Sequence, residues 1–386
     1  MTAPPRPSGP VDAAVAGGGP AGAVAALVLA AAGRRVLLLD PGGPSPPAGQ
    51  DAFKIGESLP PAARPLLRDL GLLDRFLAAG HLPSTGTYAA WGSAALHGRS
   101  HLFDPYGHGW HLDRLRFDAF LRDAAVAAGA ELRRATVLAQ TGDRLTVRER
   151  DTGTVTDLHS RWTVDATGRR CVIGRRYGRR HRQDRLLAAY AVFRGPRAAE
   201  RTQPQDAEVR TLVEAAPHGW WYTTLLPAGR LVAHLTDADL ADPALRTPQG
   251  FWRGITHTEH VRQRLAGHDP AATAVPRWTP AHGLRLSPAA GPGWVAAGDA
   301  ALAFDPLSSQ GILTALHTGA RAGQAVRRAW PPRAGRPPRS PTTRRSWTAW
   351  RTPTGETMRT RTTRNGVGLS APSGSAGGWA RRPRPA

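Results

Sequence analysis

Cysteine occurs once in this chain of 386 residues, as Cys171, and lysine once, as Lys54. A lone thiol excludes a disulfide framework and a cysteine-ligated metal centre, and it suits a reducing compartment, so a cytoplasmic protein without a metal site is expected. Long apolar runs are also missing. The longest, AVAALVLAAAG at residues 23–33, is too short to cross a bilayer, and no membrane segment is expected. The start, MTAPPRPSGPVDAAVAG, has no basic stretch leading into an apolar one, so no export signal is expected. Acidic residues are few, 29 against 51 basic, which gives a net charge of +22.

Such an excess of positive charge usually points to nucleic acid. Its distribution argues otherwise. Residues 331–386 hold 12 Arg and a single Glu, so half of the net charge belongs to the last 56 residues. No basic stripe interleaved with aromatics runs through the body, and no nucleic-acid partner is expected. The same tail has nine Pro and nine Thr but only Val367 and Leu369 among Val, Leu, Ile and Phe. It cannot bury enough apolar surface to offset its ordering entropy, and disorder is expected there. Two readings of it stand: a basic tail that binds an acidic partner, or a reading-frame shift in GC-rich coding DNA. The second is preferred, because the arginines show neither helical nor repeat order. The Pro-rich residues 1–10 are likewise expected to be disordered.

What is present is an α/β pattern. DAAVAGGGPAG, AVAALVLAAAG and RRVLLLD, over residues 12–40, read as strand, turn, helix and strand, a βαβ opening with parallel strands. Residues 41–52 read as loop. Residues 60–80 have helical spacing broken near Gly71, and residues 113–132 read as an amphipathic helix entering a strand. Residues 135–165 alternate like antiparallel strands. Residues 186–236 hold several strand-like runs, with PAGR as a hairpin turn in GWWYTTLLPAGRLVAHLTD. WVAAGD at 294–299 reads as a short buried strand and residues 311–330 as a helix. The expected fold is α/β, a Rossmann-like nucleotide-binding domain, 11–185 with 280–330, into which a mostly antiparallel β-sheet domain, 186–279, is inserted.

The chemistry lies in two glycine motifs. Gly17-Gly18-Gly19-Pro20-Ala21-Gly22 is a G-x-G-x-x-G placed between a strand and a helix. Gly17 permits the tight turn, Gly19 lets backbone approach a pyrophosphate, and Gly22 permits close helix–strand packing. Asp40 ends the next strand, where an acid can bind ribose hydroxyls. Farther on, Gly298-Asp299 follows WVAA, and a loop through Pro306 opens a helix near Gly311 and Ile312. An acid there can bind a ribityl hydroxyl, and the helix start offers free N–H groups and the positive dipole end.

GGGPAG, DATG (Asp165 to Gly168) and GDAALAFDPLSSQGI resemble the signatures of FAD-dependent monooxygenases of the hydroxylase fold. KIGESLPP with DPLSSQGI is similar to the flavin-dependent halogenase-like branch. GESLPPAARPLLRDLGL, FDPYGHGWHLDR and GWWYTTLLPAGRLVAHLTD resemble oxidoreductases grouped with flavoproteins that mature tryptophylquinone cofactors. The resemblance covers about residues 12–330. It implies bound FAD, a flavin C4a-hydroperoxide formed with O₂, and an aromatic or amine-bearing substrate, free or carried on a protein. The reductant would be NAD(P)H, acting directly or through a separate flavin reductase. A halogenase or reductase of the same fold, or an inactive flavin-binding protein, is the alternative.

The same resemblance nominates site residues. Gly17, Gly19, Pro20, Ala21, Gly22, Asp40, Arg114, Gly298, Asp299, Gly311 and Ile312 would bind FAD, and Lys54, Glu57 and Ser308 would be catalytic. Lys54 is expected near the flavin, paired with Glu57 or with the reduced ring. A helix N-terminus at Gly311 would stabilise an anionic reduced flavin by roughly 0.3–1 kcal/mol, and about 2 if partly buried. Tryptophan halogenases carry a glutamate where this chain has Ser308, and related halogenases a lysine in the stretch matching residues 84–95. STGTYAAWGSAA has none, so no halide incorporation is expected. His108 and His111 read as loop or core residues before they read as acid–base groups, and Arg116 reads equally as a solvated helix-face residue or an FAD contact. Trp220 and Trp221 are candidates for a substrate pocket, and His257, Glu259 and His260 lack metal spacing.

Overall fold

The strand Val11–Ala16 is buried along its whole length, as its run of Val and Ala requires of a central parallel strand. It pairs in parallel with Val36–Leu39 on one side and Val155–Asp165 on the other. Glu131–Arg133 and Trp294–Ala296 extend the parallel sheet at its two ends, and Ala290–Gly291 adds an antiparallel edge. The computed structural model describes residues 11–42, 53–193, 207–227, 229–266, 268 and 275–329, all within one compact unit, Met1–Thr343. The expectations for residues 1–10 and for the tail 331–386 fall outside the described residues.

The expected βαβ opening is present. Helix Pro20–Ala31 starts with Pro at its first turn, where the missing N–H costs nothing. It is buried on most of its faces because two helices flank it, Arg114–Ala127 and Gly311–Ala329. Gly319 sets the closeness of the second contact: a Cβ there would lie 2.2 Å from the carbonyl oxygen of Ala21. Arg114–Ala127 is capped by Asp113, whose carboxylate accepts from the N–H groups of Leu115 and Arg116, both at 3.1 Å. The break near Gly71 separates helices Ala63–Asp69 and Leu73–Ala78. Phe76, Phe117 and Trp110 pack edge to face between these elements, with ring centroids 5.1 and 5.8 Å apart.

Residues 135–165 form the expected antiparallel meander, Ala135–Thr141, Arg144–Glu149 and Val155–Asp165. The last strand is long enough to serve the parallel sheet with its buried end as well.

The second large sheet has seven strands, in the order Arg277–Pro280, Leu186–Phe193, Gly229–Asp237, Gly219–Leu226, Thr211–Ala216, Gly86–Ala90 and His97–Ser100. All its pairings are antiparallel except that of Thr211–Ala216 with Gly86–Ala90. Two strands therefore come from residues 86–100, far ahead of the block that supplies the others.

Candidate active site

The first glycine motif turns between the first strand and its helix. Gly17 has φ +102°, and a Cβ on it would strike the Ala166 carbonyl oxygen at 2.3 Å. A Cβ on Gly22 would lie 1.8 Å from the Gly17 oxygen, so both positions exclude any side chain. At Gly19 the opposite holds. A Cβ there would meet nothing within 4 Å, because the position faces open space. That space is a cavity of about 600 Å³. It is lined at this end by Gly17–Ala21, Asp40 and Val137, and the N–H groups of Ala21 and Gly22 lie ahead of the first intrahelical donor, the Ala23 N–H, which bonds the Gly19 carbonyl at 2.9 Å.

Asp40 stands where expected, at the end of Val36–Leu39, and it is not alone. Arg122 Nη1 lies 3.2 Å from its Oδ2 and also donates to the Gly18 carbonyl at 3.3 Å. Arg122 thus ties the acid to the glycine loop. Sequence reasoning missed it, although Arg114, Asp118 and Arg122 follow an i, i+4, i+8 spacing that puts three charges on one helix face.

Arg114 is 9% exposed and holds the strap that carries Lys54 and Glu57. Its Nη1 donates to the Gly56 carbonyl at 2.6 Å, and its Nη2 reaches Asp118 at 3.1 Å. Lys54 Nζ binds the other oxygen of Asp118 at 2.6 Å. The expected Lys54–Glu57 pair is therefore replaced: the ammonium joins the strap to the helix through Asp118. Glu57 is buried and turned back on the strap, accepting from the Gly56 N–H at 3.0 Å. Burial raises its carboxyl above the ordinary range, against the lowering effects of the backbone N–H groups, Arg114 and the Tyr222 hydroxyl. Tyr222 is raised well above the usual phenol, first by burial and then by Glu57.

At the far end of the cavity, Gly298 turns with φ +60° and Gly298, Asp299, Gly311 and Ile312 all lie in the wall. Arg169 Nε is 3.7 Å from Asp299 Oδ2. Burial raises the Asp299 carboxyl, and Arg169, Arg114 and Lys54 oppose that rise. Ser308 does not join this wall. It is exposed, its hydroxyl donates to the Asp305 carbonyl at 2.7 Å, and the wall position belongs to Ser309, which has φ +52°.

The seven-stranded sheet closes the cavity with Ala188, Val213, Trp220, Tyr222 and Leu235. The two tryptophans divide by strand alternation. Trp220 faces the cavity, whereas Trp221 packs on His234 and Phe251 on the other face. His111 is fully buried outside the wall, with Nε2 bonded to the Val209 carbonyl at 2.8 Å; desolvation lowers its pKa to about 4. His108 bonds the Gly109 carbonyl, and Arg116 donates to Ala79 on the surface. Asp165 of DATG is a structural acceptor for the N–H groups of Thr167, Ile173 and Gly174. Among the described residues no group of His, Cys, Asp or Glu could hold a metal ion.

A side-chain-free turn facing one end of the cavity, an acid at a strand end, and a second glycine–acid pair beside a helix N-terminus fit a dinucleotide that carries a ring system toward Trp220 and Tyr222. This fold and site define an FAD-dependent oxidoreductase. The chain belongs to the FAD binding domain family, whose sequence profile matches residues 10–325. It is 25% identical over 332 residues to the 1H-pyrrole-2-carbonyl-[peptidyl-carrier protein] brominase of Pseudoalteromonas luteoviolacea, covering 82% of this chain and 77% of that one. Its fold matches the myxobacterial chondrochloren halogenase CndH, an FAD-dependent halogenase, with TM-score 0.72, 25% identity and coverage of 83% and 75%. It also matches the peptidyl tryptophan dihydroxylase QhpG, with TM-score 0.62, 22% identity and coverage of 82% and 66%. The halogenase-like resemblance read from the motifs agrees with these findings.

Proposed function

We propose that this enzyme is an FAD-dependent monooxygenase of an aromatic or amine-bearing substrate, free or carried on a protein. The observation that carries the reading is one continuous cavity, which runs from the glycine loop to Trp220 and Tyr222. Gly17, Gly19, Pro20, Ala21, Gly22 and Asp40 would hold the dinucleotide half of FAD. Arg114, Gly298, Asp299, Gly311 and Ile312 would hold the ribityl and ring half. When bound, FAD supplies two-electron transfer and activation of O₂. NAD(P)H would reduce it, directly or through a separate flavin reductase. The domains would divide as 11–185 with 280–330 for FAD and 186–279 for substrate.

The chain's own groups supply binding and proton placement. Trp220 and Tyr222 give a flat apolar wall for an aromatic ring. Burial raises the Glu57 carboxyl above its ordinary range, and its hydrogen bond with the Tyr222 hydroxyl couples the two groups at the substrate end. Lys54 keeps the strap against the helix. The protein-borne option is supported by the carrier-bound substrate named for the brominase and the peptidyl substrate named for QhpG.

Halogenation is the second reading, favoured by the similarity to the brominase and to CndH. Against it, no residue from 84 to 95 lines the cavity, and the chain's single lysine is engaged by Asp118. The test is purification of the full chain, an absorbance spectrum, and NADH and NADPH oxidation with and without a flavin reductase. Products are weighed with bromide or chloride present. A flavin spectrum and a product heavier by one oxygen are expected; a halogenated product establishes the second reading instead, and absence of bound flavin overturns both.

A further inference from the structure

Beside the cavity lies an arginine-rich surface that the flavin reading does not use. Residues 161–185 contain nine Arg, and the acids among them are Asp165 and Asp184. Asp165 is fully buried and spent on backbone N–H groups. Among the described residues, Arg170, Arg175, Arg176, Arg179, Arg180, Arg182 and Arg185 form no ion pair with any carboxylate. Six of the seven are exposed, and Arg180 is half-buried. The run begins in the cavity itself, since Arg169 and Arg170 both line it. Arg180 donates to the Arg169 carbonyl at 2.7 Å, which fixes the strand Arg179–Arg182 next to that rim. Arg169 in turn donates to the carbonyl of His282, the neighbour of the wall residue Ala281. The surface therefore continues from the cavity lining outward along a strand.

Seven arginines within sixteen residues and without a carboxylate partner among the described residues repel one another, and a folded surface keeps them at a cost unless an anionic partner is met. We infer that this surface docks an acidic protein that presents the substrate to the cavity. The inference rests on the proposed function in its protein-borne form. Two observations favour a protein over the other polyanions. Tyr177, the one Phe, Tyr or Trp between Arg169 and Arg185, is already stacked on Trp294 with centroids 5.3 Å apart, so no free platform for bases is offered. Tyr177 is also the run's one exposed large apolar side chain, so the surface has nothing to insert into a lipid layer. Guanidinium groups, by contrast, match carboxylates two bonds at a time. The surface spans strand and turns over the lengths of several residues, more than the two phosphates of a dinucleotide require.

The test compares the full chain with a triple charge reversal, Arg175→Glu, Arg179→Glu and Arg182→Glu. None of these three lines the cavity. The 12 tail arginines are common to both proteins, so the difference reads this surface alone. Bound FAD and urea midpoint are measured first on each, and absence of FAD from the unaltered chain overturns the proposed function by itself. Binding of an acidic holo acyl-carrier protein, a phosphatidylglycerol vesicle and a duplex DNA is then titrated at 50 and 300 mM NaCl. The expected result is carrier-protein binding that weakens at least about tenfold with salt and is lost by about the same factor in the reversal, with FAD content unchanged. Equal carrier-protein binding by the two proteins overturns the inference. So does a DNA or vesicle affinity that exceeds that for the carrier protein and falls in the reversal. If the reversal loses FAD, Arg179→Gln with Arg182→Gln replaces it, and the same two outcomes decide.

Discussion

Asp118 is the point at which the structure makes its sharpest energetic claim. Its side chain is 4% exposed and receives Lys54 at 2.6 Å and Arg114 at 3.1 Å. Asp118→Ala removes the carboxylate but leaves the Arg114 guanidinium, 9% exposed, with only the Gly56 and Ile55 carbonyls as acceptors. An orphaned buried charge of this kind costs about 3–5 kcal/mol. Lys54→Ala removes the other partner, but that side chain is 49% exposed and solvent takes over much of its role. Its loss should cost about 1 kcal/mol or less. Lys54→Arg keeps the charge and should cost less still. Arg114→Ala combined with Asp118→Ala leaves no buried charge unpaired, so it should cost less than the two single changes added together. Urea unfolding of the full chain, followed by tryptophan fluorescence and by flavin release, measures each value. If Asp118→Ala and Lys54→Ala differ by less than about 1 kcal/mol, the buried pair is not what holds the strap.

Acid should destabilise the fold through His111 and His234, whose pKa values burial lowers to about 4 from an ordinary 6.5. Between those values the unfolded chain binds more protons, so stability present above pH 6.5 is lost as pH falls toward 4, by up to about 1.4 kcal/mol per pH unit for each histidine. Urea midpoints at pH 7, 6 and 5 should fall in that order, and His111→Gln should flatten the slope; an unchanged slope refutes the assignment. Glu57 works with the opposite sign, because its raised carboxyl ionises later in the folded chain than in the unfolded one, so Glu57→Gln should steepen the acid loss. Gly319→Ala should cost about 1–3 kcal/mol and weaken FAD retention, because its Cβ would meet the Ala21 carbonyl at 2.2 Å, behind the glycine loop. Wild-type stability and FAD content in that variant would mean the two helices have room to separate.

Much of the cofactor end was legible because it depends on backbone shape within short stretches. Gly17 and Gly22 must lack side chains, Asp40 must follow the second strand, and Gly298 must turn before Asp299; each requirement is written in consecutive residues. The antiparallel meander and the helix Gly311–Ala329 follow from periodicity in the same way. The substrate end was less legible. GWWY marks a strand, but which tryptophan faces the cavity is decided by which face of the sheet packs against helix Pro248–Thr256. Residues 86–90 carry no strong strand signal, and their place in the sheet comes from parallel pairing with Thr211–Ala216, more than a hundred residues away.

The charges divide along the same line. Sequence alone established that the chain has one lysine, that it lies on the strap, and that Arg114 opens the following helix. It could not select the acid that each cation meets, because a salt bridge is chosen by distance in space. Glu57, three residues from Lys54, was the near candidate along the chain. The fold turns Glu57 back onto Gly56 and brings Asp118, 64 residues away, to 2.6 Å. It also turns the Ser308 hydroxyl onto Asp305, so that Ser309 takes the wall position. Local motifs determined what the backbone can cradle, and tertiary packing alone decided which side chains face the cavity and which charges neutralise one another.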